Sequence, residues 1–149
     1  MNIKAVVECE AGSNQKNIFD EVTLEDKESF TVSRTYPFAY GFIPGTKSGD
    51  EDCLDSFILT TNPLKVKSQV EAEIIGMFEQ FETRDGLRKE DHNILLRLKG
   101  EDFNLSEEVK ATLREFVLHV WDHRIGKKVE VGNFRGPEEA EDLIKKLTC

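Results

Sequence analysis

The chain has 149 residues, of which 38% are hydrophobic and 33% are charged, and its formal net charge is −9. This size and composition predict a single globular domain over residues 1–149. The negative charge argues against nucleic-acid binding, which needs a basic face. No window approaches the roughly 20 consecutive apolar residues of a membrane span, and Glu8 and Glu10 come too early for a signal peptide. We therefore expect a cytoplasmic protein that binds neither nucleic acid nor membrane.

The first two-thirds of the chain contain short apolar or alternating runs, bounded by turn residues, that are typical of β-strands. One of them has Phe57, Ile58 and Leu59 in succession, which favours a strand that is covered on both faces. The predicted strands are Ile3–Cys9, Phe30–Arg34, Leu54–Thr61, Val70–Phe81 and Asn93–Leu98.

The last third of the chain changes to helical periodicity. Ser106 is a suitable N-cap for a helix whose apolar face continues to Val120. A short strand, Lys127–Val131, is predicted next, and Pro137 then begins a closing helix. Several strands followed by two helices predict an α+β domain or a small barrel with helices packed outside.

Residues 49–55, GDEDCLD, place four acidic side chains among seven residues, with Asp50, Asp52 and Asp55 in the spacing D-x-D-x-x-D. Such a cluster is either a solvated turn or a site that is neutralised by a cation. An EF-hand calcium loop is excluded, because its required sixth-position glycine is Asp55 here. Carboxylate oxygens suit magnesium, which often bridges to phosphates. Asp55 also leads into an apolar strand, where an unpaired carboxylate would be costly to desolvate.

The segment just before this cluster makes the pattern more specific. Residues 36–46 read YPFAYGFIPGT, and together with GDEDCLD they closely resemble the soluble family I inorganic pyrophosphatases, which join Y-G-[FY]-I-P-x-T to D-x-D-x-x-D at this separation. Weaker similarity covers nearly the whole chain. The resemblance implies an α+β fold, a small five-stranded OB-like β-barrel with two C-terminal flanking helices, and a homo-oligomer.

The resemblance also implies an activity, the magnesium-dependent hydrolysis of pyrophosphate to two phosphates. Several Mg²⁺ ions per site, with Mn²⁺ as a possible substitute, would bind pyrophosphate and activate the attacking water. The implied metal ligands are Asp50, Asp55, Asp91 and either Glu82 or Asp85, whose loop aligns in two ways.

The remaining implied site residues act on water and substrate. Asp52 would accept the proton of the attacking water, and Tyr40 would line the site with its hydroxyl. Lys16, Arg34 and Glu8 fall where the family has its substrate-binding side chains.

Four positions depart from the family pattern. Asn93 replaces a phosphate-binding lysine, Val120 and Trp121 replace a tyrosine–lysine pair, and Ile18 replaces an acidic residue. Each lost charge-assisted hydrogen bond costs on the order of 1.5–3 kcal/mol. The metal half of the predicted site is therefore preserved, whereas the half that binds the leaving phosphate is altered.

These departures leave three functional interpretations open. The chain is a working pyrophosphatase in which Lys127 or Lys128 compensates, a paralogue that hydrolyses another phosphoanhydride such as a nucleotide, or an inactive relative that binds metal or phosphate. Trp121 could stack on an organic group in the second case, although a tryptophan at a helix end more often packs against the core.

Overall fold

The computed structural model describes residues 2–49 and 51–149. The described elements are, in chain order, β1 (Asn2–Cys9), β2 (Gln15–Phe19), β3 (Asp26–Thr31), β4 (Ala39–Ile43), β5 (Leu54–Leu59), β6 (Gln69–Arg84), β7 (Leu87–Glu90), β8 (Asn93–Leu98), α1 (Glu107–His119), β9 (Lys127–Arg135) and α2 (Pro137–Leu147).

Five of these strands form a closed ring. The strands are hydrogen-bonded in the order β1–β4–β5–β8–β6, and β6 returns to pair with β1. All neighbours are antiparallel except β5 and β8, which run parallel. The long strand β6 also pairs with β7 and β9, while β2 and β3 form a separate two-stranded sheet. A ring of five strands with two later helices confirms the predicted α+β, OB-like fold.

Strand β5 lies in the middle of the hydrophobic packing, as the uninterrupted apolar run predicts. Phe57, Ile58 and Leu59 are each at most 1% exposed. Ile58 belongs to a cluster that includes Ala140 and Ile144 of α2, whereas Phe57 and Leu59 pack in a second cluster with Leu113 and Phe116 of α1. Because successive side chains of a strand point to opposite faces, α2 packs on one face of β5 and α1 packs on the other.

Both helices begin where the sequence predicts. The backbone N–H of Val109 donates to the Ser106 hydroxyl at 3.2 Å, so Ser106 is the N-cap of α1. Pro137 occupies the first turn of α2, and the N–H of Gly136 donates to the Glu139 carboxylate at 2.7 Å.

The strand boundaries are less well predicted. The run Phe30–Arg34 is not a strand over its length, because β3 ends at Thr31, and β2, β4 and β7 have no predicted counterpart. β2, β3 and β7 are mostly polar and exposed, so they lack the apolar alternation that marks a strand facing a core. β9 continues to Arg135 rather than ending at Val131, because its pairing with β6 extends that far.

Ser56 is the one described residue whose side chain has a buried polar atom with no hydrogen-bond partner. Its hydroxyl is fully buried in β5, and leaving such a group unpaired costs about 1–3 kcal/mol. We expect Ser56→Ala to raise the free energy of unfolding by about 1 kcal/mol, measured by urea denaturation.

A buried hydroxyl that is fully paired offers the matched control. The Thr46 hydroxyl donates to the Ile43 carbonyl at 2.6 Å and accepts the N–H of Leu54 at 2.9 Å. Thr46→Val should therefore lower the free energy of unfolding, since it removes a hydrogen bond from each of these two backbone groups. If Ser56→Ala lost as much stability as Thr46→Val, the Ser56 hydroxyl would not be an unpaired group.

No helix within residues 2–49 and 51–149 is long and apolar enough to cross a membrane. The single-domain assignment over residues 1–149 stays a prediction.

Candidate active site

A cavity of about 690 Å³ lies between the β2–β3 hairpin and the β6–β7 hairpin. Its walls also include residues from the ring strands β1, β4 and β5 and from the start of β9. Most of the predicted site residues line it, namely Glu8, Lys16, Tyr40, Asp52, Asp55, Glu82, Asp85 and Asp91. One cavity therefore collects residues that are more than 80 positions apart in the chain.

The parallel pairing of β5 and β8 explains why the acidic residues meet. Asp55 is the second residue of β5, Asp52 lies just before that strand, and Asp91 comes just before β8 begins at Asn93. The amino ends of parallel neighbours lie at the same edge of a sheet. Tyr40 joins them from the other side, because it is paired with Phe57 across β4 and β5.

The side chains around this edge supply the type of donor that a hard divalent cation prefers. Asp52, Asp55 and Asp91 offer carboxylate oxygens, which Mg²⁺ prefers, to a cavity that also contains cationic side chains. Asp50, a further predicted ligand, lies outside the described residues. Within residues 2–49 and 51–149, no three His, Cys, Asp or Glu side chains are already arranged as a complete cation site.

Lys16 and Glu8 form a nearly buried ion pair in the wall of the cavity. The Lys16 Nζ lies 2.8 Å from the Glu8 Oε1, and the two side chains are only 13% and 9% exposed. Burial is the largest single influence and acts to lower the pKa of Lys16, but Glu8 together with Tyr36, Cys9 and Asp55 outweighs it and holds that pKa well above its usual value. Lys16 therefore stays charged, and Glu8 fixes its position.

Tyr40 contributes a hydroxyl that keeps its proton. Burial, followed by the negative charges of Asp55 and Asp91, raises the pKa of Tyr40 well above its usual value. Its ring packs edge-on against Phe57 with the centroids 5.0 Å apart, and Lys16 Nζ lies 4.6 Å from the ring centroid. The phenol can thus act as a neutral hydrogen-bond donor towards an anionic substrate.

Arg34 is placed differently from the other predicted residues, because it does not line the cavity. Its Nη1 donates to the carbonyl of Ser33 at 3.1 Å, and its Nη2 lies 3.9 Å from the Asp122 carboxylate. The side chain is 44% exposed, beside the end of α1. The structure therefore does not bring Arg34 together with the predicted substrate-binding residues.

Lys127, which the sequence offers only as one of two compensating lysines, lines the cavity. Its side chain is 6% exposed, and its Nζ lies 3.3 Å from Glu82 Oε1 and 3.5 Å from the centroid of the Trp121 ring. Burial lowers its pKa, although the Glu82 carboxylate opposes this shift. Lys128 is exposed and does not line the cavity.

Glu82 and Asp85, the two candidates for one metal ligand, both line the cavity. The Glu82 carboxylate contacts Arg84 Nη2 at 3.0 Å in addition to Lys127, so this carboxylate holds two cationic side chains. Asp85 lies in the turn that joins β6 and β7 and is exposed.

Side chains without charge occupy the departing positions 93 and 120. Asn93 is 1% exposed, and its amide donates to Gln80 Oε1 at 2.6 Å. Val120 is buried against the core that α1 covers. Gln80 also lines the large cavity, and nothing in the sequence motifs marks it as part of the site.

Comparison with known proteins identifies the family. Residues 5–148 match the family model described as inorganic pyrophosphatase. The chain is 30% identical to the inorganic pyrophosphatase of Nanoarchaeum equitans, over 97% of this chain and 94% of that one, and 30% identical to that of Aquifex pyrophilus, over 97% and 86%. The crystal structure of an inorganic pyrophosphatase from Neisseria gonorrhoeae superposes with a TM-score of 0.85 at 26% identity, covering 98% of this chain and 88% of that one. The chain belongs to the inorganic pyrophosphatase family.

Proposed function

We propose that this protein hydrolyses inorganic pyrophosphate to two phosphates and that Mg²⁺ is its metal. Family membership implies a hydrolase that acts on pyrophosphate with a divalent metal. The observation that carries the proposal for this chain is the 690 Å³ cavity, where Asp52, Asp55 and Asp91 share one space with Lys16 and Lys127. Such a site offers oxygen ligands for a cation and cationic side chains for the phosphates.

The acidic residues divide into two roles in this proposal. Asp55, Asp91 and Asp50 would hold the metal, with Glu82 or Asp85 as a further ligand. Bound magnesium supplies charge neutralisation on the phosphates and a lowered pKa for the attacking water. Asp52 is exposed at the cavity and would accept the proton of that water.

The cationic residues and Tyr40 would bind the substrate. Lys16, held by Glu8, and Lys127, held by Glu82, present two ammonium groups to the same cavity. Tyr40 adds a protonated hydroxyl. Lys127 would take over part of the charge that the family places at positions 93 and 121, so the altered half of the site still binds an anion.

Phosphate release from pyrophosphate tests the proposal directly. We expect turnover with Mg²⁺, weaker turnover with Mn²⁺, and none after chelation with EDTA. As a control, Mg²⁺ is added back after EDTA has been removed. Recovery of turnover then shows that chelation removed the metal and did not denature the protein. Tight pyrophosphate binding without phosphate release, at every Mg²⁺ and Mn²⁺ concentration, would overturn the proposal in favour of an inactive binding relative.

Two further properties belong to the same proposal. We propose a cytoplasmic location, which the three cysteines support because Cys9, Cys53 and Cys149 are all free of disulfides. We also propose that the chain self-associates, as the family resemblance implies. Light scattering after size-exclusion chromatography measures the mass of the assembly.

A further inference from the structure

The cavity lining includes apolar and aromatic side chains that pyrophosphate does not require. Val22 is 91% exposed and Leu87 is 65% exposed, and both line the cavity together with Phe30, Trp121 and Arg124. Val22 and Leu87 lie on the two hairpins that border the cavity, whereas Phe30, Trp121 and Arg124 contact one another, and we call these three residues the aromatic wall. Exposed apolar side chains grouped around a cavity mark a surface that binds something apolar. Pyrophosphate offers only phosphate oxygens, so it makes no use of the apolar surface that these side chains present to the cavity.

The aromatic wall is a group of planar side chains in mutual contact. The ring centroids of Phe30 and Trp121 lie 5.8 Å apart. The guanidinium carbon of Arg124 lies 5.3 Å from the Trp121 centroid and 5.7 Å from the Phe30 centroid. Aromatic rings and arginine guanidinium planes are the surfaces on which nucleobases stack. Arg124 is also exposed, so it can contact a ligand that enters from solvent.

The aromatic wall adjoins the phosphate-binding part of the cavity. Lys127 links the two, since its ammonium lies 3.5 Å from the Trp121 centroid and 3.3 Å from Glu82. The cavity volume of about 690 Å³ is typical of sites that enclose an organic molecule, which span roughly 300–1,000 Å³. A ligand that fills both parts would therefore carry an anionic phosphate end and a planar aromatic end.

We propose that the site also accepts nucleoside diphosphates, with the base on the aromatic wall and the diphosphate in the acidic and cationic part. This inference rests on the proposed function. In the reaction, the oxygen of water forms a bond to the terminal phosphorus, and the bond from that phosphorus to the bridging oxygen breaks. The bridging oxygen leaves with its electron pair on the nucleoside monophosphate, and the proton of the water passes to Asp52 and then to solvent.

Two non-hydrolysable ligands isolate the contribution of the nucleoside. Methylenediphosphonate and α,β-methylene adenosine diphosphate share the diphosphonate but differ by the adenosine. The chain has a single tryptophan, Trp121, so its intrinsic fluorescence reports on the aromatic wall. With Mg²⁺ present, we expect the adenosine ligand to bind about tenfold more tightly than methylenediphosphonate. We also expect phosphate release from ADP.

Substitutions in the aromatic wall test whether these side chains cause the higher affinity for the adenosine ligand. Phe30→Leu removes a ring but keeps apolar volume, and Arg124→Gln removes the guanidinium. Each should reduce the affinity ratio of the two ligands about threefold to fivefold. Ile125→Ser is the matched control, because Ile125 is fully exposed next to Arg124 and does not line the cavity. It should leave the ratio unchanged.

The outcomes separate this inference from the proposed function. Absent pyrophosphate hydrolysis would overturn the proposed function. Normal pyrophosphate hydrolysis with equal affinity for the two ligands would overturn the inference alone. If an aliphatic diphosphonate, such as a geranyl analogue, bound as tightly as the adenosine ligand, the inference would also be overturned. The aromatic wall would then bind any apolar group rather than a base.

Discussion

Asp52→Asn is expected to lower the kcat for pyrophosphate by about 10²–10⁴-fold, the usual contribution of a general base. Asparagine has nearly the same shape as aspartate but accepts no proton at neutral pH. Asp52 is exposed at the cavity and precedes β5, so the change should leave the packing of β5 unaltered. Steady-state phosphate release measures kcat, and circular dichroism with thermal unfolding checks the fold.

Glu51 offers a matched control for this substitution. It is the adjacent acid, it forms an exposed ion pair with Lys47, and it does not line the cavity. Glu51→Gln removes the same charge but should change kcat by less than about twofold, because exposed ion pairs contribute little. If Asp52→Asn kept full activity, or if the two variants lost activity equally, Asp52 would not be the base.

Lys127→Gln is expected to lower kcat/KM for pyrophosphate by about 10- to 100-fold. One lost charge-assisted hydrogen bond to a phosphate is worth about 1.5–3 kcal/mol, which corresponds to this range. We expect a large effect because Lys127 and Lys16 are the two nearly buried lysines that line the cavity in the described part of the chain. Initial rates over a range of pyrophosphate concentrations measure the effect.

Two companion variants separate substrate binding from a structural role of Lys127. Lys128→Gln removes the neighbouring exposed lysine and should change kcat/KM by less than about twofold. Lys127→Arg keeps the charge beside Glu82 and should recover part of the activity. An unchanged kcat/KM in Lys127→Gln would show that the lysine only pairs with Glu82. Similar losses in the glutamine and arginine variants would point to packing against Trp121 instead.

The acidic residues that the sequence singles out line one cavity, and two of them are easy to find because they depend on a short spacing. Asp52 and Asp55 lie in one motif at the start of one strand, and a strand that is apolar on both faces is easily recognised. Asp91 is found only through the family resemblance. Its proximity to Asp55 depends on the pairing of β5 with β8, which no local pattern reveals.

Which cationic side chains line the cavity is harder to predict, because their placement depends on contacts between distant elements. Lys127 and Lys128 are equivalent in the sequence, and only the pairing of β9 with β6 places one of them beside Glu82. Arg34 is the opposite case, since the family resemblance suggests that it faces the substrate but its side chain lies beside Asp122 and does not line the cavity. Tertiary packing decides both cases.

Strand β4 has no predicted counterpart in the sequence. Its sequence, AYGFI, contains a glycine, which usually weakens a strand prediction. The structure explains the residue, because a Cβ at Gly41 would collide with the carbonyl oxygen of Val6 on β1. The glycine thus lets β1 and β4 approach closely and holds Tyr40 at the cavity.

The many partners of β6 bear on how the protein folds. This one strand pairs with β1, β7, β8 and β9, and its partners come from both ends of the chain. Such non-local pairing makes folding slow and unfolding cooperative, because no partner strand can leave without exposing β6. Gln80 and Glu82 belong to the same strand, so a partly folded chain has no working cavity. Destabilising changes far from the cavity should therefore reduce the number of active molecules rather than the turnover of each.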